Sequence, residues 1–192
     1  MSSDRAAGRR HRAYSADDPE TALKYALQCF ESDQVQLVEG VITLPFRRWD
    51  DDTTARTVRD RIAPALDRMG CVTGSGDLDL PGSLNWYVPD LAVVPEGAAR
   101  GAGALLPEET LLVVEVTSDP GDDTDRVTKR RRYAEYGAPL YLLVDRHERT
   151  CTLFSRPGEP GEPGYMKSDS CRFGESLHLP EPFGLALDTS EF

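Results

Sequence analysis

The stretch "LLVVEVTSDPGDDTDRVTKRRRYAEYG", residues 111–137, decides how this chain is read. Its first part is the most apolar run in the sequence, the pattern of a central strand covered on both faces. Glu115 lies inside that run, and Lys129 follows fourteen residues later. A charge buried there without a partner costs roughly several kcal/mol, so each of these residues is expected to have one.

The second part of the stretch carries its own boundaries. Asp125 can cap a helix that runs through residue 136, Gly137 suits the left-handed position after it, and Pro139 stops continuation. On that helix Lys129 shares a face with Tyr133 and Tyr136, with Arg126 nearby. If the face packs on the sheet, the ammonium can reach toward Glu115. Lysine is also scarce, 3 residues against 19 arginines, so a lysine at a special position carries more information than usual.

Working outward, "PLYLLVD" (139–145) reads as a second buried strand and "TCTLFSRP" (150–157) as its partner across a polar turn. Upstream, "WYVPDLAVVP" (86–95) reads as a strand with a proline entering it, which puts Asp90 at the head of its apolar part. A helix is expected over 17–30, a hairpin turning at Glu39-Gly40 over 35–46, and a helix over 53–70 that Pro64 kinks or breaks. Strand and loop fill 71–85, a loop spans 96–109, "RPGEPGEPGYM" is a loop tip, and "CRFGESLHLPEPFGLALD" closes the sheet or covers its edge. With no sustained βαβα alternation, this order predicts a mixed α/β (α+β) fold around one central mixed sheet flanked by helices.

The chain has 192 residues, of which 39% are hydrophobic. That is enough for one domain, expected over 17–192 behind a disordered basic tail at 1–16. No apolar run is long enough to cross a bilayer and the N-terminal residues lack a signal-like apolar segment, so a cytoplasmic protein without membrane attachment is expected. A net charge of −11 argues against a general nucleic-acid coat protein, but not against a nuclease whose metal ions supply local positive charge. The four cysteines show no C-x-x-C pair and read as free thiols, and the histidines are not placed for a Ser-His-Asp triad. Asp90 and Glu115 fall on strands that can be neighbours, and a divalent cation is a suitable shared partner for two such carboxylates.

Taken in order and spacing, "PDLAVV" (89–94), "LLVVEVTS" (111–118) and "DRVTKRRRYAEYGAPLYLLVD" (125–145) resemble the Uma-two family, a branch of the PD-(D/E)XK nuclease superfamily. The likeness extends over about residues 20–190, including the "LVEG" hairpin and the "LPEPFGLALD" close. It implies a restriction endonuclease-like fold and a DNA endonuclease that hydrolyses phosphodiester bonds with Mg²⁺ or Mn²⁺ and a metal-activated water, with a homodimer as a family-level expectation. Carried onto matching positions, Asp90 and Glu115 are the acidic metal ligands, the backbone carbonyl of Val116 is a further ligand, and Lys129 is the cation that assists the water. The usual superfamily lysine lies two residues after the second acid, where this chain has Thr117; the Uma-like variant moves it to the following helix.

Gln36 stands where many members of that family carry a hairpin glutamate, so it enters as an auxiliary group that can hydrogen-bond but cannot supply charge. Tyr136 is a candidate brace for Lys129, and Arg126 and Arg130, in the basic island around "KRRRY", are candidate phosphate contacts. The Gln36 departure motivates an alternative reading: a catalytically inactive nuclease fold serving as a binding or interaction module.

Overall fold

The computed structural model describes residues 18–29, 34–44, 49–121, 123–159 and 164–192. The tail expected over 1–16 lies outside them, as do Phe30 and the last two residues of the predicted hairpin. The chain begins with α1 (Pro19–Leu27), the hairpin β1 (Gln36–Val38) and β2 (Val41–Thr43), and the long helix α2 (Trp49–Met69). Four short strands follow: β3 (Cys71–Gly74), β4 (Leu78–Leu80), β5 (Asn85–Tyr87) and β6 (Leu91–Pro95). After the short helix α3 (Glu96–Ala99) come β7 (Leu112–Thr117), a π-helical segment (Thr124–Lys129) that runs directly into α4 (Arg130–Glu135), and β8 (Leu140–Asp145). The chain finishes with β9 (Thr150–Pro157), β10 (Tyr165–Arg172), β11 (Ser176–Leu179) and β12 (Leu185–Asp188).

The main sheet has the order β10-β9-β8-β7-β6-β3, in which β7 and β8 run parallel and the other neighbours antiparallel. It is a mixed sheet flanked by helices, as expected. Beside this central sheet, β2-β1-β5-β4 form a second, smaller sheet and β11-β12 a third. The run 86–95 is not one strand but two, β5 and β6, in different sheets, and the chain changes sheets around Pro89, which has no N–H for either ladder.

Side chains alternate across β7, so its two faces enter different cores. Leu112, Val114 and Val116 meet Val58, Ile62 and Ala65 of α2, and the β11-β12 hairpin covers the same face with Leu177, Leu179, Phe183 and Leu187. The closing segment thus covers a face of the sheet with its own small hairpin. On the other face Val113 meets Leu78, Leu80, Tyr87, Tyr133, Tyr141 and Leu143. By the same alternation Glu115 belongs to this second face.

Two local findings refine the reading. Helix α2 starts at Trp49, earlier than predicted, with Asp50, Asp51 and Asp52 in a first turn that favours negative charge. It also continues through Pro64. Pro64 is exposed while Ile62, Ala65 and Leu66 are buried, so the carbonyl that loses its helical donor faces the water side and core packing holds the turn. In the first hairpin, Glu39 and Gly40 both have positive φ, 47° and 82°, as a two-residue turn matched to strand twist requires.

The fold makes a simple prediction. Ile62→Ala, which empties a fully buried position under β7, should lower unfolding free energy by about 2–5 kcal/mol in urea titrations. Trp49→Ser, at a 90% exposed position, should shift it by no more than about 0.5 kcal/mol. Equal losses would show that α2 does not anchor the core as described.

Candidate active site

The parallel pair β7 and β8 needs a crossover, and the segment 118–139 supplies it. The crossover returns over the second face, which brings its helical part above Glu115. There the Lys129 ammonium donates to Glu115 Oε1 at 3.0 Å and lies 3.1 Å from Asp125 Oδ1. The Tyr133 hydroxyl donates to the same Glu115 oxygen at 2.8 Å. Glu115 and Lys129 are 2% and 4% exposed, so the charge and its partners sit where water hardly reaches.

Asp90 arrives by a different route. The register pairs Leu91 with Val114, so a continued ladder would bring Pro89 opposite Val116. The chain has already left for β5, and the Asp90 carboxylate takes the Val116 N–H instead, at 2.7 Å. Asp90 is thereby tied to the residue next to Glu115. Val116, expected to contribute its carbonyl, makes this contact through its amide.

An aromatic wall encloses the group. The Lys129 ammonium lies 5.8 Å from the centre of the Tyr87 ring, and Tyr87 and Tyr141 each pack against Tyr133 at 5.5 Å. Burial pushes the Glu115 carboxyl up to about 8, although the Lys129 ammonium pulls the other way. For Lys129, burial alone would lower the pKa, but the field of Asp125, Glu115 and Asp90 more than offsets it and the ammonium stays charged. The Tyr133 hydroxyl is likewise raised by burial and by Glu115, so it acts as a donor.

The remaining expected residues are dispersed. Gln36 is buried, and its side-chain oxygen accepts the Val88 N–H at 3.2 Å. Tyr136 does not brace Lys129: its hydroxyl donates to the Pro81 carbonyl, and Tyr133 holds the pair instead. One helical turn separates the two tyrosines, and the sheet side of that turn takes Tyr133. Arg126 is committed inward, to Asp145 at 2.7 Å and to the Asp119 carbonyl at 2.6 Å. Arg130 is half-buried, its guanidinium 4.9 Å from the centre of the Phe154 ring. Glu39 turns away to a double hydrogen bond with Arg132.

Asp125, read from the sequence as a helix cap, lies one residue inside the helical segment, whose cap position is Asp123, and shares Lys129 with Glu115. Its signal was an acid four residues ahead of the lysine on one helix. Asp90 and Glu115 offer the carboxylate oxygens that Mg²⁺ takes, one or two of which commonly suffice beside its waters. Among the described residues, no three His, Cys, Asp or Glu side chains are grouped to hold a metal by themselves. No helix of the described residues is long and apolar enough to cross a membrane.

A family model, Uma2, described as putative restriction endonuclease, matches residues 23–190. No curated protein matches the sequence. Among solved structures, the chain is similar to a crystal structure from Anabaena variabilis described as a putative nuclease belonging to DUF820. The TM-score is 0.69 at 15% identity, over 88% of this chain and 95% of that one, which shows a shared fold.

The raised carboxyl gives a pH prediction. Between 4.5, its ordinary value, and about 8, folded Glu115 holds its proton more tightly than unfolded Glu115. Its contribution is therefore fully present below 4.5 and is lost as pH rises toward 8. The stability difference between wild type and Glu115→Gln should fall across this window by up to about 1.4 kcal/mol per pH unit in denaturant titrations. A difference that is constant with pH, or that grows, would contradict the burial described.

Proposed function

Because the chain belongs to the Uma2 family, we propose that it is a metal-dependent phosphodiester hydrolase acting on DNA as an endonuclease. The observation that carries this reading is the buried Lys129 ammonium held against Glu115, one residue from the amide that anchors Asp90. A purely structural ion pair would need no second carboxylate fixed beside it, at the bend that leads into β6.

Asp90 and Glu115 would hold Mg²⁺ or Mn²⁺, with the Val116 carbonyl as a further oxygen ligand. Lewis acidity toward a phosphodiester is the chemistry a bound cation would supply there. The chain's own residues do the rest. Lys129 brings a fixed positive charge that offsets charge building on the phosphoryl oxygens in the transition state, and its poor access to water strengthens that effect. It also has donor hydrogens with which to orient an attacking water.

Tyr133 fixes the orientation of the Glu115 carboxylate through its hydrogen bond. Gln36 supports the chain just before Asp90 by accepting the Val88 amide. Arg130, its guanidinium over the Phe154 ring, is the arginine of this helix best placed to meet a phosphate backbone, since Arg126 is engaged with Asp145, Arg131 with Glu39, and Arg132 with Glu39 and Glu135. Two copies of the chain would suit cleavage of both strands of a duplex.

Gln36 favours a second reading, a nuclease fold that binds without cutting, because an amide cannot replace the charge of a carboxylate. The two separate on a panel of plasmid, linear and single-stranded DNA with Mg²⁺ or Mn²⁺. Asp90→Ala, Glu115→Ala and Lys129→Ala should each reduce cleavage by about 10²-fold or more while circular dichroism stays that of the wild type. EDTA should abolish it. Undiminished cleavage in the Asp90 and Glu115 variants would overturn the site, and a protein that binds these DNAs but cuts none would favour the inactive module.

A further inference from the structure

We propose that Asp125 is a positioning residue of this site, one that keeps the Lys129 ammonium in place when Glu115 engages a divalent cation. The role rests on the nuclease reading above. Glu115 and Asp125 share one ammonium, at 3.0 and 3.1 Å, from two different elements. A lysine held by Glu115 alone would lose its acceptor when that carboxyl turned to a cation. It would then face like charge in a poorly screened interior, a strongly repulsive arrangement. Asp125 supplies a second anchor on the lysine's own helix.

The anchor is itself held firmly. The Tyr141 hydroxyl of β8 donates to the Asp125 carbonyl at 2.8 Å, and the next residue, Arg126, binds Asp145 at the end of the same strand at 2.7 Å. Two bonds thus fasten this turn to the sheet, at the Asp125 carbonyl and at the residue that follows it. The winding matters as well. Residues Thr124–Lys129 form a π-helix, whose i→i+5 bonds make a turn wider than the α-helical 3.6 residues or so. A residue four positions on therefore stays closely in line with the first, and Lys129 stands over Asp125.

Asp125 acts through Lys129 and not on the substrate, so its loss should have a distinctive profile. In the full chain, Asp125→Asn should lower kcat by about 10–100-fold, with KM for DNA and Mg²⁺ affinity by calorimetry each within about 2-fold of wild type. Asp125→Glu should recover most of the rate. Independently of turnover, the exchange-protected ¹⁵Nζ signal of Lys129, one of three lysines, should persist in wild type when Mg²⁺ is added and vanish on the same addition in Asp125→Asn.

A Mg²⁺ affinity that collapses in Asp125→Asn, as in Asp90→Ala, would make Asp125 a ligand and overturn the proposal. So would an active wild type matched in rate by Asp125→Asn, or a Lys129 signal that survives Mg²⁺ in that variant. A wild type that neither binds Mg²⁺ nor cleaves DNA would instead overturn the nuclease reading, and this role with it.

Discussion

A lysine ammonium buried among carboxylates constrains much of the structure around it. Away from water, a charge is stable only if its partners are near, correctly oriented and unable to drift. Glu115 meets these conditions because it is built into β7, a strand with neighbours on both sides. Lys129 meets them because its helix is wedged over that strand by Tyr133 and fastened to β8 by Tyr141 and Arg126. The aromatic wall both seals the group and sets its electrostatics, since burial raises Glu115 while the surrounding acids keep Lys129 charged.

The topology follows from the same need. A parallel neighbour for β7 obliges the chain to cross over, and a crossover returns a helix onto one face of the sheet. That face carries Glu115. The opposite face is left to apolar packing by α2 and the β11-β12 hairpin, which hold β7 rigid without approaching the charges. Asp90 is fixed by an interruption: just beyond Leu91, where the β6 ladder ends, a carboxylate replaces the missing strand neighbour of Val116. A local exception to regular pairing thus puts an acid beside the strand that bears Glu115.

The chain's acidity and its proposed substrate are compatible for a related reason. A net charge of −11 opposes broad attraction to DNA, so binding would depend on local positive charge. Most arginines near the site already have protein partners: Arg126 with Asp145, Arg131 with Glu39, and Arg132 with Glu39 and Glu135. Arg132 also joins the first hairpin to α4, which makes part of the basic island an element of the scaffold.

The apolar run with one glutamate, the helix that follows it and the second buried strand were legible in the sequence, because burial and period leave local marks on residue type. The Glu115–Lys129 encounter could be anticipated from the same marks, since a buried acid needs a partner and a scarce lysine faced the right way. The split of 86–95 between two sheets was not legible, because the pattern of a strand does not say which neighbours it will find. Tyr133 in place of Tyr136, the inward commitment of Arg126 and the grip of Asp125 on Lys129 were also decided only in three dimensions. Residue type and spacing determined which charges this chain had to bury. Their partners were set by helix rotation and strand register, which depend on contacts between segments far apart in the chain.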